Sequence, residues 1–140
     1  MDRRGLFSID VLFAMTLLLT VVGTLSNVYQ GRDEAATWIG AGEEASVVCE
    51  KLAAAVNTVY ANGSTSELYI NLPDTIRGNS YTISFDNTRR EITIEVPDVG
   101  ITGRAAKAMT SCKNVAFGSL DPSKRVRVRW SGGNVEVTNA

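Results

Sequence analysis

The N-terminal quarter of this chain contains a mostly apolar run from Leu6 to Leu25, preceded by Arg3 and Arg4 and interrupted by one charged residue, Asp10. A helix of about 20 apolar residues is long enough to span the hydrocarbon core of a bilayer, so the run predicts a membrane-crossing helix. An acid inside such a helix costs roughly 2.5–3.5 kcal/mol on an insertion scale. Asp10 therefore predicts a functional site that requires a partner of opposite charge.

The best candidate for that partner is a new N-terminus. Cleavage after Gly5 would leave Leu6 with a free α-amine, which is largely protonated at neutral pH. The amine of one subunit and Asp10 of its neighbour would compensate each other only where helices pack side by side. The sequence thus couples removal of the leader to assembly, with Leu6, Phe7 and Asp10 at the contact.

These features resemble the class III signal peptide of type IV pilin-like proteins, the superfamily of archaeal pilins and archaellins. The resemblance rests on the short basic leader, Gly5 at the cut, the acid at mature position five and the surrounding apolar helix. A typical member has glutamate in place of Asp10 and often phenylalanine in place of Leu6, and Ser8 favours the archaeal branch. The resemblance implies cleavage by a prepilin peptidase and polymerisation of homologous subunits into a helical filament.

Two other interpretations of the apolar run are an ordinary single-pass anchor and a secretory signal. A secretory signal usually has an apolar core of about 7–15 residues and an A-x-A-like site, whereas this run is longer and no such site follows. Arg3 and Arg4 precede the run and the next basic residue is Arg32, so the positive-inside rule keeps the N-terminus cytoplasmic. The expected location is the cytoplasmic membrane for the precursor and an extracellular filament for the mature chain.

A helical pattern continues beyond the run, because apolar residues recur at steps of three and four up to about Tyr60. Asn62-Gly63 predicts the end of this helix. The predicted buried stripe comprises Ala35, Trp38, Gly42, Ala45, Val48, Cys49, Leu52, Val56, Val59 and Tyr60.

After Gly63 the apolar period changes to two, which predicts strands. Asp86-Asn87-Thr88 predicts the turn of a first hairpin, and Ser131 to Asn134 predicts the turn of a second. The segment from Gly100 to Ser111 fits either a loop or a brief helix. The predicted strands are Leu68–Leu72, Tyr81–Phe85, Ile92–Val96, Val126–Trp130 and Val135–Val137, with Val115–Phe117 as a possible short strand.

Together these patterns predict an α+β fold, in which a long N-terminal hydrophobic helix precedes a small antiparallel β-sheet or β-sandwich head. The resemblance implies the lollipop shape of pilins. The expected organisation is a leader at 1–5, a helix at 6–61 and a β-rich head at 62–140. Within the helix, 6–25 would form the membrane or filament core and 32–61 the amphipathic half.

Three further features are candidate sites. Cys49 and Cys112 would close a disulfide worth roughly 4 kcal/mol if their geometry allows it, or else form two separately buried thiols. Asn62 opens the glycosylation sequon Asn62-Gly63-Ser64. Alternating arginines at 125, 127 and 129 form either a basic ridge for anionic groups or a solvated strand face. Glu91 and Glu95 are candidate counter-charges, across a sheet or between subunits.

The chain has no histidine, no glycine-rich phosphate loop and no nucleophile elbow, so we expect neither an enzyme nor a cofactor or metal site. A net charge of −1 argues against a nucleic-acid partner. The first hypothesis is a structural subunit, major or minor, of an archaeal type IV pilus-like filament that serves adhesion, motility or DNA uptake. The alternatives are a membrane-anchored binding module that never polymerises and a pseudopilin of a secretion system.

Overall fold

A computed structural model describes residues 3–97 and 104–140 of the chain. Within them the protein forms one long helix followed by seven strands, which confirms the α+β class. Helix α1 spans Arg3–Asn62. The strands are β1 (Glu67–Ile70), β2 (Thr82–Asp86), β3 (Glu91–Glu95), β4 (Arg104–Met109), β5 (Val115–Phe117), β6 (Val126–Ser131) and β7 (Asn134–Asn139).

The chain divides into two compact units within α1. The first unit ends at Thr37 and contains the apolar half of the helix. The second unit is Trp38–Ala140 and contains the amphipathic half of the helix together with all seven strands. The helix ends where predicted, since Gly63 has a φ of +81° and its N–H donates to the carbonyl of Val59 at 3.1 Å. Glycine adopts this left-handed cap without the steric cost that a Cβ brings.

The strands form two sheets in the second unit. The four-stranded sheet has the order β1-β6-β7-β5, and the three-stranded sheet has the order β2-β3-β4. Strand β5 runs parallel to β7, and every other pair in the described residues is antiparallel. The predicted short strand is therefore confirmed, and it makes the four-stranded sheet mixed.

Both predicted hairpins are confirmed, and each has a turn that its residues explain. In the β2–β3 turn, Asp86 Oδ1 accepts hydrogen bonds from the backbone N–H groups of Thr88 and Arg89, at 2.8 and 3.1 Å. In the β6–β7 turn, Gly132 and Gly133 have φ values of +59° and +89°. Positive φ at both central residues matches the twist of the flanking strands.

The core of the second unit lies between α1 and the two sheets. It begins at Ala41 and takes residues from the helix and from the inward faces of the strands. Trp38 and Tyr60 were expected on the buried stripe, but their side chains are 46% and 39% exposed. The largest fully buried side chains are Leu52, Val56, Val59, Ile76, Ile92, Ile94, Val96, Val126, Val128, Val135 and Val137.

The segment predicted as a loop or brief helix, Gly100–Ser111, instead contributes strand β4. Its first residues, up to 103, lie outside the described residues. Met109 pairs with Glu91 and Ala108 pairs with Ile92, so β4 extends the three-stranded sheet along β3. Alanine and lysine have low β-propensity, and this strand forms because β3 offers it an edge to pair with.

Candidate functional site

The apolar half of α1 is exposed along its whole described length. Every side chain from Ile9 to Leu25 lies in the exposed class, and the helix is long and apolar enough to cross a membrane. Monomeric soluble proteins rarely leave an apolar surface of this extent in water. Its length and composition suit it to burial in a bilayer or against neighbouring apolar protein.

Three threonines within the apolar half satisfy their hydroxyl groups inside the helix. Thr16 donates to the carbonyl of Leu12 at 2.8 Å, Thr20 donates to Thr16 at 2.8 Å, and Thr24 donates to Thr20 at 2.9 Å. A polar group buried in hydrocarbon is costly unless it has a hydrogen-bond partner. These threonines are therefore compatible with burial in lipid or between helices.

Asp10 is the acid of this surface, and its side chain is exposed. It shares one helix face with Ala14, Leu17 and Val21, which follow it at four-, seven- and eleven-residue steps. Its carboxylate thus projects from an otherwise apolar face. A partner that covers this face must bring either a positive charge or hydrogen-bond donors to Asp10.

The predicted cleavage site lies in the first turns of α1. The helix begins at Arg3, so the backbone at Gly5 and Leu6 is helical. The side chains of Leu6 and Phe7 lie outside those that the structure describes. Helix ends fray more readily than helix interiors, so this backbone leaves the helical conformation at little cost.

The candidate disulfide is not formed. Cys49 and Cys112 are both free and buried. The Cys49 thiol donates to the carbonyl of Ile92 at 3.3 Å, and the Cys112 thiol donates to the carbonyl of Asn114 at 3.3 Å. The helix directs one thiol toward β3, and the loop before β5 directs the other toward its own backbone. Burial raises the pKa of the Cys49 thiol to about 11.

The predicted ridge of arginines on β6 is largely neutralised within its own sheet. Arg129 Nε lies 2.6 Å from Glu136 Oε2, and Arg127 Nε lies 3.8 Å from Glu67 Oε1. The guanidinium of Arg125 lies over the ring of Tyr69, 5.9 Å from its centroid. Of the two alternatives, a strand face with local partners fits these contacts better than a continuous basic ridge.

Within the chain, Arg127 and Arg129 pair with Glu67 and Glu136 rather than with the predicted glutamates of β3. Glu91 instead accepts from Lys107 Nζ at 2.5 Å, across the β3–β4 pair. This hydrogen bond lowers the pKa of Glu91. Because no strand was predicted at β4, Lys107 had no expected position beside Glu91. Pairing of Glu91 and Glu95 with these arginines between subunits stays a prediction.

Two other contacts were missed by reasoning from the sequence. Arg77 contacts Glu44 on the helix through its backbone N–H at 3.0 Å and through Nε at 3.6 Å. The Asn87 side chain pairs with the backbone of Val115, accepting at 2.9 Å and donating at 3.3 Å. Both join segments that are far apart in the chain, and local periodicity carries no signal for such pairs.

Within the described residues no group of three or more cysteine, aspartate and glutamate side chains could hold a metal ion.

Comparison with known proteins yields one finding. No curated protein and no solved structure matches the chain. Residues 6–139 match the Family of unknown function (DUF7266), which covers nearly the whole sequence, so the chain belongs to this family.

Proposed function

We propose that this chain is a structural subunit, major or minor, of an extracellular archaeal type IV pilus-like filament. In this proposal residues 1–5 are a leader, a prepilin peptidase cleaves between Gly5 and Leu6, and mature subunits polymerise through α1. The observation that carries the proposal is the exposed apolar surface at Ile9–Leu25 with one acid, Asp10, near its start.

The apolar surface fits two successive environments, the bilayer and then the filament core. Its threonine hydroxyls donate hydrogen bonds within the helix, so most of the surface needs no hydrogen-bond partner from the bilayer or from neighbouring subunits. The carboxylate of Asp10 does need a positively charged or hydrogen-bonding partner. In the filament the α-amine of Leu6 from a neighbouring copy is that partner, because cleavage places its positive charge at the end of an equivalent helix.

A simple anchor gives no role to Asp10, and the acid only makes insertion less favourable. The acid gains a role where helices of equivalent subunits pack side by side with an axial stagger. A contact of this kind joins different surfaces of identical subunits, and such contacts generate open helical assemblies when the rotation between subunits does not close a ring. Asp10 therefore favours a polymer over an isolated anchored module.

The first test is the intact mass and the N-terminal residue of the native protein, measured both in sheared surface material and in membranes. We expect a chain that starts at Leu6 in the sheared fraction. A chain that starts at Met1 and occurs only in membranes would instead identify an anchored binding module. A cleaved chain that is scarce in sheared material would identify a pseudopilin.

The second test replaces Asp10 while leaving the apolar surface intact. D10A should insert into the membrane and be cleaved, yet enter filaments poorly, whereas D10E should restore incorporation. D33A is a matched control, because Asp33 is an exposed acid of the same helix beyond the apolar run. Normal incorporation of D10A would contradict the pairing.

The third test concerns the cleavage site itself. Replacement of Gly5 by leucine should leave the precursor uncut in the membrane, because a bulky side chain replaces the hydrogen next to the scissile bond. Replacement of Gly31 by leucine is a control, since Gly31 lies in the same helix with open space around its Cα. Unchanged cleavage of the Gly5 variant would place the site elsewhere.

A further inference from the structure

Helix α1 ends at an exposed asparagine, Asn62, whose side chain makes no hydrogen bond within the described residues. Asn62 is the last residue of the helix and is exposed. Gly63 turns the backbone with a φ of +81°, and Ser64 and Thr65 form an exposed turn after it. Within the part of the chain that the structure describes, neither the Asn62 amide nor the Ser64 hydroxyl makes a hydrogen bond to protein.

Several other asparagines in the second unit are committed to the fold. Asn57 Oδ1 accepts from the N–H of Ser111 at 2.8 Å, and the Asn139 side chain accepts from and donates to the backbone of Asp121 at 2.8 and 2.9 Å. The Asn87 amide is engaged on both sides, as described above. A bulky substituent at any of these positions would break contacts that the fold uses.

At Asn62 a bulky substituent breaks no such contact. The amide projects into solvent from the final helical turn, and the backbone N–H of Gly63 is already satisfied by Val59. Opening the last turn to give an enzyme access requires the loss of few hydrogen bonds, because helix ends fray. The sequon Asn62-Gly63-Ser64 thus lies at a position where it is both accessible and free to change conformation.

We propose that Asn62 is an N-glycosylation site that takes its glycan from a lipid-linked oligosaccharide. Asn62 Nδ2 attacks the anomeric carbon of the first sugar, a C–N bond forms, and the bond from that carbon to the phosphate oxygen breaks. Nδ2 loses one proton and the lipid phosphate leaves, so the step needs no oxidant or reductant. This inference rests on the proposed function in one respect, because it requires the second unit to face the outside.

The test is mass spectrometry of the protein isolated from its native host. Cleavage at Lys51 and Arg77 yields a peptide, residues 52–77, that contains Asn62 together with Asn57 and Asn71. We expect this peptide to carry a discrete sugar mass located at Asn62. N62Q and S64A should both abolish the added mass, whereas N71Q and T65A should retain it.

The two control positions resemble the tested ones in all but the sequon. Asn71 is an exposed asparagine of the same peptide, and Thr65 is the exposed hydroxyl residue beside Ser64. An unmodified peptide 52–77 would overturn the proposal. The N-terminal residue, read from the same sample, separates this result from failure of the filament proposal. A chain cut at Leu6 with bare Asn62 refutes glycosylation alone, and a glycosylated chain that starts at Met1 refutes processing alone.

Discussion

Arg77 adopts a backbone conformation that a side chain rarely tolerates. Its φ of +52° is followed by +79° at Gly78, and the two residues form a tight turn between Ile76 and Asn79. Such a left-handed residue costs roughly 1–2 kcal/mol. Contacts with α1 offset this cost, since Glu44 binds both the N–H and the side chain of Arg77. The guanidinium rests on Gly40, where a Cβ would overlap it.

This packing predicts a coupling between Gly40 and Arg77. Replacement of a glycine by alanine inside a helix raises the free energy of unfolding by up to about 1 kcal/mol. In the natural chain, G40A should gain less, because the new methyl displaces the guanidinium and weakens a surface ion pair worth about 0–1 kcal/mol. In a chain that already carries R77A, G40A should raise the free energy of unfolding by the full helix-propensity difference between glycine and alanine. Urea unfolding of the detergent-solubilised chain measures the difference.

A control for this cycle is G31A, because Gly31 has open space around its Cα. Its coupling to R77A should be near zero. Equal effects of G40A in the two backgrounds would show that the guanidinium does not rest on this glycine.

The buried thiol of Cys49 makes a prediction about reactivity and pH. Only the thiolate reacts with iodoacetamide, and burial holds the Cys49 pKa near 11 compared with an ordinary value of 9.0. We expect no alkylation of Cys49 or Cys112 at pH 8 in the native protein. In denaturant without reductant both should react, as counted by mass spectrometry. A disulfide-linked pair of peptides would contradict the free thiols.

The same shift links Cys49 to alkaline stability. The unfolded thiol ionises near pH 9, whereas the folded thiol keeps its proton until about pH 11. The contribution of the protonated Cys49 thiol to the free energy of unfolding is therefore fully present below pH 9, and it is lost as the pH rises through the pKa of the folded protein, about 11. The free energy of unfolding should fall less steeply across this window in C49A than in the natural chain.

At the scale of elements, Asn87 joins the two sheets through hydrogen bonds. It lies in the β2–β3 turn, and its amide pairs with both backbone groups of Val115 in β5. Strand β5 is an edge strand of the four-stranded sheet, and an unpaired edge is a template for unwanted pairing. The side chain of Asn87 thus covers part of an edge and fixes the hairpin against it.

N87A should therefore destabilise the second unit by about 1–3 kcal/mol, because partly buried groups of Val115 lose their partner. Denaturant unfolding of the full chain in detergent provides the measurement. T88A is the matched control in the same turn, because the Thr88 side chain is exposed. We expect its stability to stay within about 0.5 kcal/mol of the natural chain. Equal stability of the two variants would rule out the role of Asn87.

The elements also show where local patterns suffice. Strands β2, β3, β6 and β7 each alternate β-branched or aromatic residues with polar ones, and their turns carry Asp86 or Gly132-Gly133. Both signals are local, so these hairpins were predictable. Strand β4 reads Arg-Ala-Ala-Lys-Ala-Met, which has no such alternation, and its conformation depends on pairing with a strand about 15 residues earlier.

At the scale of the whole molecule, the core lies entirely within the second unit. Its first buried apolar residue is Ala41, and no core residue lies in the described part of the first unit. A chain that begins at Trp38 should therefore fold by itself into a soluble monomer with both thiols protected. Circular dichroism, gel filtration and alkylation provide the measurements.

A shorter chain is the control for this truncation. Starting at Glu50 removes Ala41, Ala45, Val48 and Cys49 from the core, and we expect this chain to unfold or aggregate. Aggregation of the chain that begins at Trp38 would show that the second unit depends on the apolar half of the helix.

Local sequence patterns were sufficient to predict the long helix, its apolar N-terminal half, the isolated acid Asp10 and the α+β class. These depend on hydrophobic period and length, which each segment carries independently of its neighbours. The contact partners became known only from the folded chain: Cys49 with the Ile92 carbonyl, Arg77 with Glu44 and Gly40, Lys107 with Glu91, and Asn87 with Val115. Each contact joins residues distant in the chain, and the packing of α1 and the two sheets brings them together.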